Sequence, residues 1–444
     1  MKDNFILPDY VNITLDMLNS SNYEAYIVGG CVRDFLLDRV PNDFDVTTNA
    51  LPLQTEAVFK GYHVIETGLK HGTVTVVILG TTVEITTYRI DGVYSDGRHP
   101  DTVEYTSKLK DDLSRRDFTI NAMAYNKSTG IVDEFNGVHD LNHKTIKCVG
   151  SPAKRFSEDA LRIMRAIRFS SQLDFDIDIE TANMVHALKD TLLKVSVERI
   201  AVELNKLIMG ERVHSILVEY HDIFETIIPE VTACVGFNQH SKYHKYDVWE
   251  HIAIATQNAP KVLTIRLAML LHDIAKPKVF TLDSKGNGHF YRHAHEGSAM
   301  AETILKRLKY DNFTIKRVCT LIYHHDDDFK SDYDIKTTIC SIGKEAFFEL
   351  LQVQQADAMA KQDFCRGRIE HIQNIKSSAI SMLDSHECLS LKDLQVTGSD
   401  IKSLGFNGKS IGLVLDTLLK EVFKGSIENN RQSLLDRAIN LKDI

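Results

Sequence analysis

Two aspartates one residue apart, Asp43 and Asp45, are the first residues along this chain whose types and spacing suit chemistry. In an extended strand, residues i and i+2 point to the same side. The two carboxylates then project together, and Phe44 turns into the core. Neighbouring carboxylates repel unless a cation lies between them, so the pair points to a divalent metal such as Mg²⁺. Upstream, the apolar run Tyr26-Ile27-Val28 reads as a buried strand and ends in Gly29-Gly30. Such glycines clear side chains from a place where a phosphate can approach backbone N–H groups ahead of a helix. Arg33 and Asp34 follow.

A third carboxylate, Glu84, lies in the alternating pattern HGTVTVVILG–TTVEITTYRI, which predicts a hairpin turning near Gly80-Thr81. Beside Asp43 and Asp45 it would complete a three-carboxylate site; alternatively it is a solvent-facing strand residue. Residues 88–105 are rich in Gly, Asp, Arg and Pro and predict a long loop. In the following segment, DDLSRRDFTINAMAYN, the polar group Arg115, Arg116, Asp117 and Asn121 interlocks with apolar positions. Adjacent arginines suit bidentate contacts to a triphosphate, and Asp117 and Asn121 suit a ribose.

The segment KRFSEDALRIMRAIRF, residues 154–169, predicts one amphipathic helix. Glu158, Asp159, Arg162, Arg165 and Arg168 lie along it. Asp159 and Arg162 are i and i+3 neighbours, a spacing that fits a surface salt bridge. A second reading is chemical. A guanidinium beside a carboxylate imitates a Watson–Crick edge: Arg162 would donate to a ring acceptor while Asp159 accepts from an exocyclic amine. Cytosine and adenine offer that pattern, whereas uracil and guanine turn a carbonyl toward the carboxylate.

Later in the chain, His251, His272-Asp273 and Asp357 fall on separate predicted helices. Imidazole and carboxylate together suit a divalent or transition metal. His295 and His324 are candidates for a second metal or a phosphate grip. Gly408-Lys409-Ser410 imitates part of a phosphate-binding loop, but Gly405 is too close and no buried strand leads into it.

The elements that must position these groups are legible in outline. Residues 8–20 predict a packing helix, and 47–60 a helix started by Thr47-Thr48 with a proline in its first turn. Residues 180–235 and 366–444 read as helical. The 444 residues allow several domains: 1–145, 146–235, 236–365 and 366–444. The net charge of −9 argues against a protein that coats nucleic acid everywhere, though not against one local basic surface. No apolar run reaches membrane-spanning length and no signal peptide is evident, so no membrane partner is expected. Seven scattered cysteines without a CxxC fit reduced thiols in a cytoplasm.

Taken in order, GGCVRD…DFD, HGTV…VEITTYR, DGVYSDGRHPD, RRDFTINAMAY and SEDALRIMRAIRF resemble the motifs of class II tRNA nucleotidyltransferases, the bacterial CCA-adding enzymes and their poly(A) polymerase relatives. The resemblance covers roughly residues 20–235. It implies an α+β domain of polymerase-beta type, a small mixed sheet with helices, followed by mostly α-helical domains. It also implies tRNA, CTP and ATP as partners, Mg²⁺ on Asp43 and Asp45, and Gly29, Gly30, Arg33 and Arg116 at the phosphates. Glu158, Asp159 and Arg162 would select the base, with Arg165 and Arg168 assisting, and the full-length 88–105 loop would favour complete CCA addition. A poly(A) polymerase or a CC- or A-adding enzyme is the near alternative. The later His251, His272-Asp273 and Asp357 resemble the HD superfamily of metal-dependent phosphohydrolases. That implies a second divalent metal, an accessory hydrolase or, as the distant alternative, a hydrolase whose first half merely binds RNA.

Overall fold

The computed structural model describes residues 5–65, 68, 72–92, 102–362 and 366–442. The chain forms two compact units, residues 1–229 and 230–444.

The first unit opens with the helix Asp9–Ser20, whose Val11, Leu15 and Leu18 are buried at the expected helical spacing. The strands follow as β1 (Ala25–Val28), β2 (Asp45–Thr48), β3 (His63–Ile65), β4 (Thr73–Ile78), β5 (Thr81–Thr87), β6 (Arg89–Asp91), β7 (Val103–Tyr105), β8 (Met123–Asn126) and β9 (Gly130–Asp133). Seven of them form one sheet in the order β3-β4-β5-β2-β1-β8-β9. Only the β2–β5 pairing in it is parallel, so the sheet is mixed as expected. The β4–β5 hairpin turns through Leu79-Gly80, both with positive φ (50° and 79°). Two such residues in succession match the right-handed twist of the flanking strands. Alternation decides which side is buried: Val74, Val76 and Ile78 of β4 face the core.

Four local expectations differ. The strand begins at Asp45, so Asp43 lies just before it rather than on it; Phe44 is nonetheless buried against Tyr10 and Phe35. Thr47 and Thr48 do not start a helix. They sit fully buried in β2, where Thr47 Oγ1 donates to the Thr86 carbonyl, and the helix comes later as Pro52–Val58. The ends of the 88–105 stretch pair as a β6–β7 ribbon, Arg89 opposite Tyr105; residues 93–101 lie outside the described residues. The helix expected over 154–169 is two helices, Pro152–Glu158 and Leu161–Leu173. The break falls on Asp159, which is extended (φ −145°, ψ 104°).

The second unit is helical apart from the short pair Thr281–Leu282 and Gly288–His289. Its first part contains Val248–Asn258, Leu263–Leu271, His293–Arg307, Asn312–His324 and Lys344–Met359. Its last part packs Ile401, Leu418, Phe423 and Leu434 from three helices into a small core. Gly408 (φ 56°) precedes the helix Lys409–Phe423 with no strand ahead of it, so no phosphate-binding loop forms there. Among the described residues, no helix is long and apolar enough to cross a membrane.

Candidate active site

β1 and β2 run side by side in the middle of the sheet, and their ends bring the glycine pair and the aspartates together. Val28 lies opposite Asp45, and Asp45 lies opposite Glu84 across the parallel β2–β5 pair. Residues in register share a face of the sheet, so Asp45 and Glu84 project the same way. Asp43, Asp45 and Glu84 are all exposed. Solvent reaches Asp45 from one side while protein crowds its carboxyl from the other. That partial burial raises its pKa, Arg116 works against the rise, and Asp43 and Glu84 add to it. Asp43 and Glu84 add negative charge around Asp45 that Arg116 does not fully offset, and carboxylate oxygens suit a hard divalent cation; among the described residues, three or more such ligand atoms lie within 4.8 Å of one another only in the second unit.

Gly29 has φ +84° and caps the helix Gly30–Leu36. A Cβ there would lie 3.0 Å from Arg116 Nη1, so both backbone strain and the arginine's approach require glycine. Gly30 opens the helix beside the Arg33 guanidinium. Arg116 reaches Asp112 at 3.6 Å, and its Nε is buried without a hydrogen-bond partner. A buried unmatched donor beside glycine backbone is suited to an incoming anion. Arg33 is held by Asp34 (2.9 Å) and donates to Asn121 Oδ1 (2.7 Å). Asn121 in turn donates to Asp117 (3.1 Å).

Asp117 also accepts from Arg165 Nε at 2.7 Å and from the Phe118 N–H at 2.8 Å. Its complete burial opposes ionisation, yet Arg165, Asn121 and Arg162 hold its carboxyl well below the usual range. Arg168 is buried; it donates to Glu203 (2.5 Å) and Gln172 (2.8 Å). Burial brings its pKa down to about 10 despite Glu203. Arg168, Arg33 and Arg165 all face the Phe169 ring, at 3.6, 5.1 and 5.4 Å from its centroid.

Asp159 and Arg162 are not paired with each other through their side chains. Arg162 Nη1 donates to Glu158 (2.6 Å) and Nη2 to the Arg115 carbonyl (3.1 Å). Asp159 accepts from Arg199 Nη2 at 2.7 Å and from the Leu161 N–H at 3.0 Å. The i,i+3 salt bridge fails because the helix breaks at Asp159. Arg115–Asp117 therefore borders several parts of the site: the Arg116 charge acts on the Asp45 carboxyl and its guanidinium crowds Gly29, the Arg115 carbonyl accepts from Arg162, and Asp117 accepts from Arg165. Sequence reasoning missed Arg199 and Phe169. Arg199 comes 40 residues after Asp159 and carries no local signal; the arginines spaced around Phe169 could have drawn attention to its ring.

In the second unit the four expected ligands converge. Ligand atoms of His251, His272, Asp273 and Asp357 all lie within 4.8 Å of one another and are buried. His251 Nε2 lies 3.0 Å from Asp357 and 3.3 Å from Asp273, and His272 Nε2 lies 3.1 Å from Asp273. Burial disfavours charge on His272, but Asp273 and Asp357 outweigh it and push its pKa up to about 9. Lys276 and Lys361 each approach a carboxylate at 2.6 Å, Asp273 and Asp357 respectively. His295 and His324 are not part of this centre. His295 lies by Glu296 and Tyr323, and His324 bonds Asp327 at 2.7 Å. Their near neighbours His293 and His325 point inward instead, and with Asp273 form a second group of ligand atoms within 4.8 Å. For this second group, sequence pointed to His295 and His324 instead of His293 and His325, because the helix boundaries that set side-chain direction were not legible.

Family models match three stretches: the poly A polymerase head domain over residues 25–147, the probable RNA- and SrmB-binding site of polymerase A over 174–235, and a second domain of tRNA nucleotidyltransferases over 291–438. The fold and the first-unit site thus define a nucleotidyltransferase. The CCA-adding enzyme of Pediococcus pentosaceus is 31% identical over 424 residues, covering 95% of each chain. That of Ligilactobacillus salivarius is 31% identical over 96% of this chain and 94% of its own. The chain belongs to the CCA-adding enzyme family. The fold also resembles that of the Bacillus stearothermophilus CCA-adding enzyme in complex with CTP, with a TM-score of 0.74 at 24% identity over 99% and 98% of the two chains. The Thermotoga maritima CCA-adding enzyme complexed with tRNA gives a TM-score of 0.62 at 17% identity, over 98% and 96%.

Proposed function

We propose that the protein rebuilds the 3′ CCA end of tRNA, adding C, C and A from CTP and ATP with release of pyrophosphate, in the cytoplasm. The observation that supports the reading best is the single stretch Arg115–Asp117, in which the Arg116 charge acts on Asp45 while the Arg115 carbonyl and Asp117 accept from Arg162 and Arg165. Asp43, Asp45 and Glu84 would hold Mg²⁺. When bound, Mg²⁺ supplies activation of the tRNA 3′ hydroxyl and offsets charge on the departing pyrophosphate. Gly29 and Gly30 leave room for the triphosphate, and Arg33 and Arg116 donate to its oxygens. Asp117 and Asn121 keep Arg33 and Arg165 in place and border the ribose.

For base selection, Asp159 and Arg162 exchange partners. Asp159 leaves Arg199 to accept from the amine of cytosine or adenine, and Arg162 leaves Glu158 to donate to the ring. Uracil and guanine give no such return for the two broken contacts. Arg168 acts at one remove, through Phe169. We divide the chain into a head (1–145), a neck (146–235), an HD domain (236–365) and a tRNA-binding tail (366–444). In the HD domain a divalent metal on His251, His272, Asp273 and Asp357 would support an accessory phosphohydrolase.

Incubating a tRNA that lacks CCA with CTP alone, ATP alone, or both tests the central reading. Two added residues with CTP and three with both are expected. Long A tracts with ATP alone would overturn it in favour of poly(A) synthesis.

A further inference from the structure

Asp112 is fully buried, and its two carboxylate oxygens treat the adjacent arginines differently. Oδ1 accepts from Arg115 Nε at 3.0 Å and from Arg115 Nη2 at 2.8 Å. Oδ2 accepts from the Thr47 hydroxyl at 3.2 Å and lies 3.6 Å from Arg116 Nη2, beyond hydrogen-bond reach. The remaining Arg115 nitrogen, Nη1, lies 3.7 Å from Asp91, which in turn pairs with Arg89 at 3.0 Å. Arg115 thus turns all three of its side-chain nitrogens toward carboxylates.

Arg116 is placed otherwise. Its side chain donates no hydrogen bond among the described residues, and its Nε is buried without a partner. Exposure does not separate the two arginines, because each side chain is 18% exposed. Bonding does. Burial opposes ionisation of Asp112, yet Arg115 and Arg116 hold its carboxyl below the usual carboxylate range. One negative charge therefore stands between two positive ones, hydrogen-bonded to the first and only facing the second.

The place of that charge matters as much. Thr47 lies two residues after Asp45 on β2, so the two share a face of the strand. Its hydroxyl ties Asp112 to the strand that carries Asp45. Arg116 runs from Asp112 to the glycine turn at Gly29. With the Asp112 charge removed, Arg116 is left with Asp45, whose carboxyl already feels it.

We propose that Asp112 is a positioning residue that sorts the adjacent arginines: it locks Arg115 as a strut and steadies Arg116 with its donors free for the nucleotide's phosphates and off the Asp45 carboxylate. By residue type the two arginines are equal phosphate ligands; their bonding leaves that task to Arg116. The sorting rests on the proposed nucleotide transfer and deepens it.

Phenylglyoxal labelling of the full, unsubstituted chain, located by tandem mass spectrometry, tests the sorting directly. Arg116 should react, Arg115 should be spared, and inorganic triphosphate should protect Arg116. Equal labelling of the two, or protection of Arg115 instead, would overturn the sorting. Asp112→Asn keeps the side chain's size and removes its charge. It should raise the KM for CTP and the KM for ATP about tenfold each and leave the KM for tRNA unchanged. A lower kcat with every KM unchanged would mean that Asp112 only supports the fold, and would overturn its positioning role. Should the unsubstituted protein incorporate no CTP into tRNA, the proposed transfer fails, and the labelling pattern still decides the sorting. It decides likewise if Asp112→Asn does not fold.

Discussion

The two clusters proposed to carry chemistry are built on opposite plans. In the first unit Asp43, Asp45 and Glu84 stand exposed on or beside the interior strands β2 and β5, while the buried groups Asp112, Asp117 and Glu203 hold the arginines. In the second unit most of the ligands themselves are buried, with each of the four inward imidazoles fixed through Nδ1 to a backbone carbonyl. A site that must admit a triphosphate and an RNA end keeps its ligands open and is aimed from behind. A site that grips ions tightly can enclose them. If that contrast is right, reactivity and stability separate in the first unit and coincide in the second.

The largest effect should come from Asp43→Ala or Asp45→Ala. Losing metal-borne stabilisation of about 4 kcal/mol corresponds to about a thousandfold in rate, read as labelled CTP incorporated into tRNA. Because both residues are exposed, thermal unfolding should move little; a large fall in stability would break the contrast. Glu203→Ala is the converse test. It leaves Arg168 charged and buried without its carboxylate, and should cost about 3 kcal/mol by urea unfolding.

The sequence made residue types legible in both halves of this contrast, the buried His251, His272, Asp273 and Asp357 included, and left the contacts between distant residues dark. Asp45 and Glu84 follow from strand period, whereas Asp43 lies just before its strand, and Gly29 follows from what a tight turn before a helix demands. The mixed sheet and the helical remainder follow from alternation and helical spacing. What was hidden depends on tertiary contact. Arg199 meets Asp159 only once the chain 40 residues on folds back against the break between the two helices. The break at Asp159 overrides an uninterrupted amphipathic pattern. His293 and His325 replace His295 and His324 because a shift of one or two residues along a helix turns a side chain through 100° or more.

Asp117 sharpens the contrast through pH. Its folded carboxyl lies below the ordinary value, so its contribution to stability is present above the unfolded value of about 3.9 and fades as pH falls toward the folded one. Asp117→Asn should therefore cost about 2 kcal/mol at pH 7, and the gap from the unsubstituted protein should narrow in urea melts below pH 4. A gap that stays constant with pH would mean that the Arg165 contact owes nothing to charge.

The smallest expected effect is the most informative about selection. Arg199 donates to Asp159 at 2.7 Å, the contact that the proposed base selection has Asp159 give up. Arg199→Ala removes that competitor, so Asp159 no longer gives up an ion pair when it turns to the amine. Every nucleotide then pays less to enter, but the ones without an amine gain too, because a freed carboxylate can turn to water rather than face a carbonyl. The ratio of CTP to UTP incorporation, measured in competition on the same tRNA, should fall by about tenfold, equivalent to about 1.4 kcal/mol. An unchanged ratio would mean that Arg199 supports the neck without restraining the reader. A ratio that rises would mean that the Asp159–Arg199 pair persists while the base is being read.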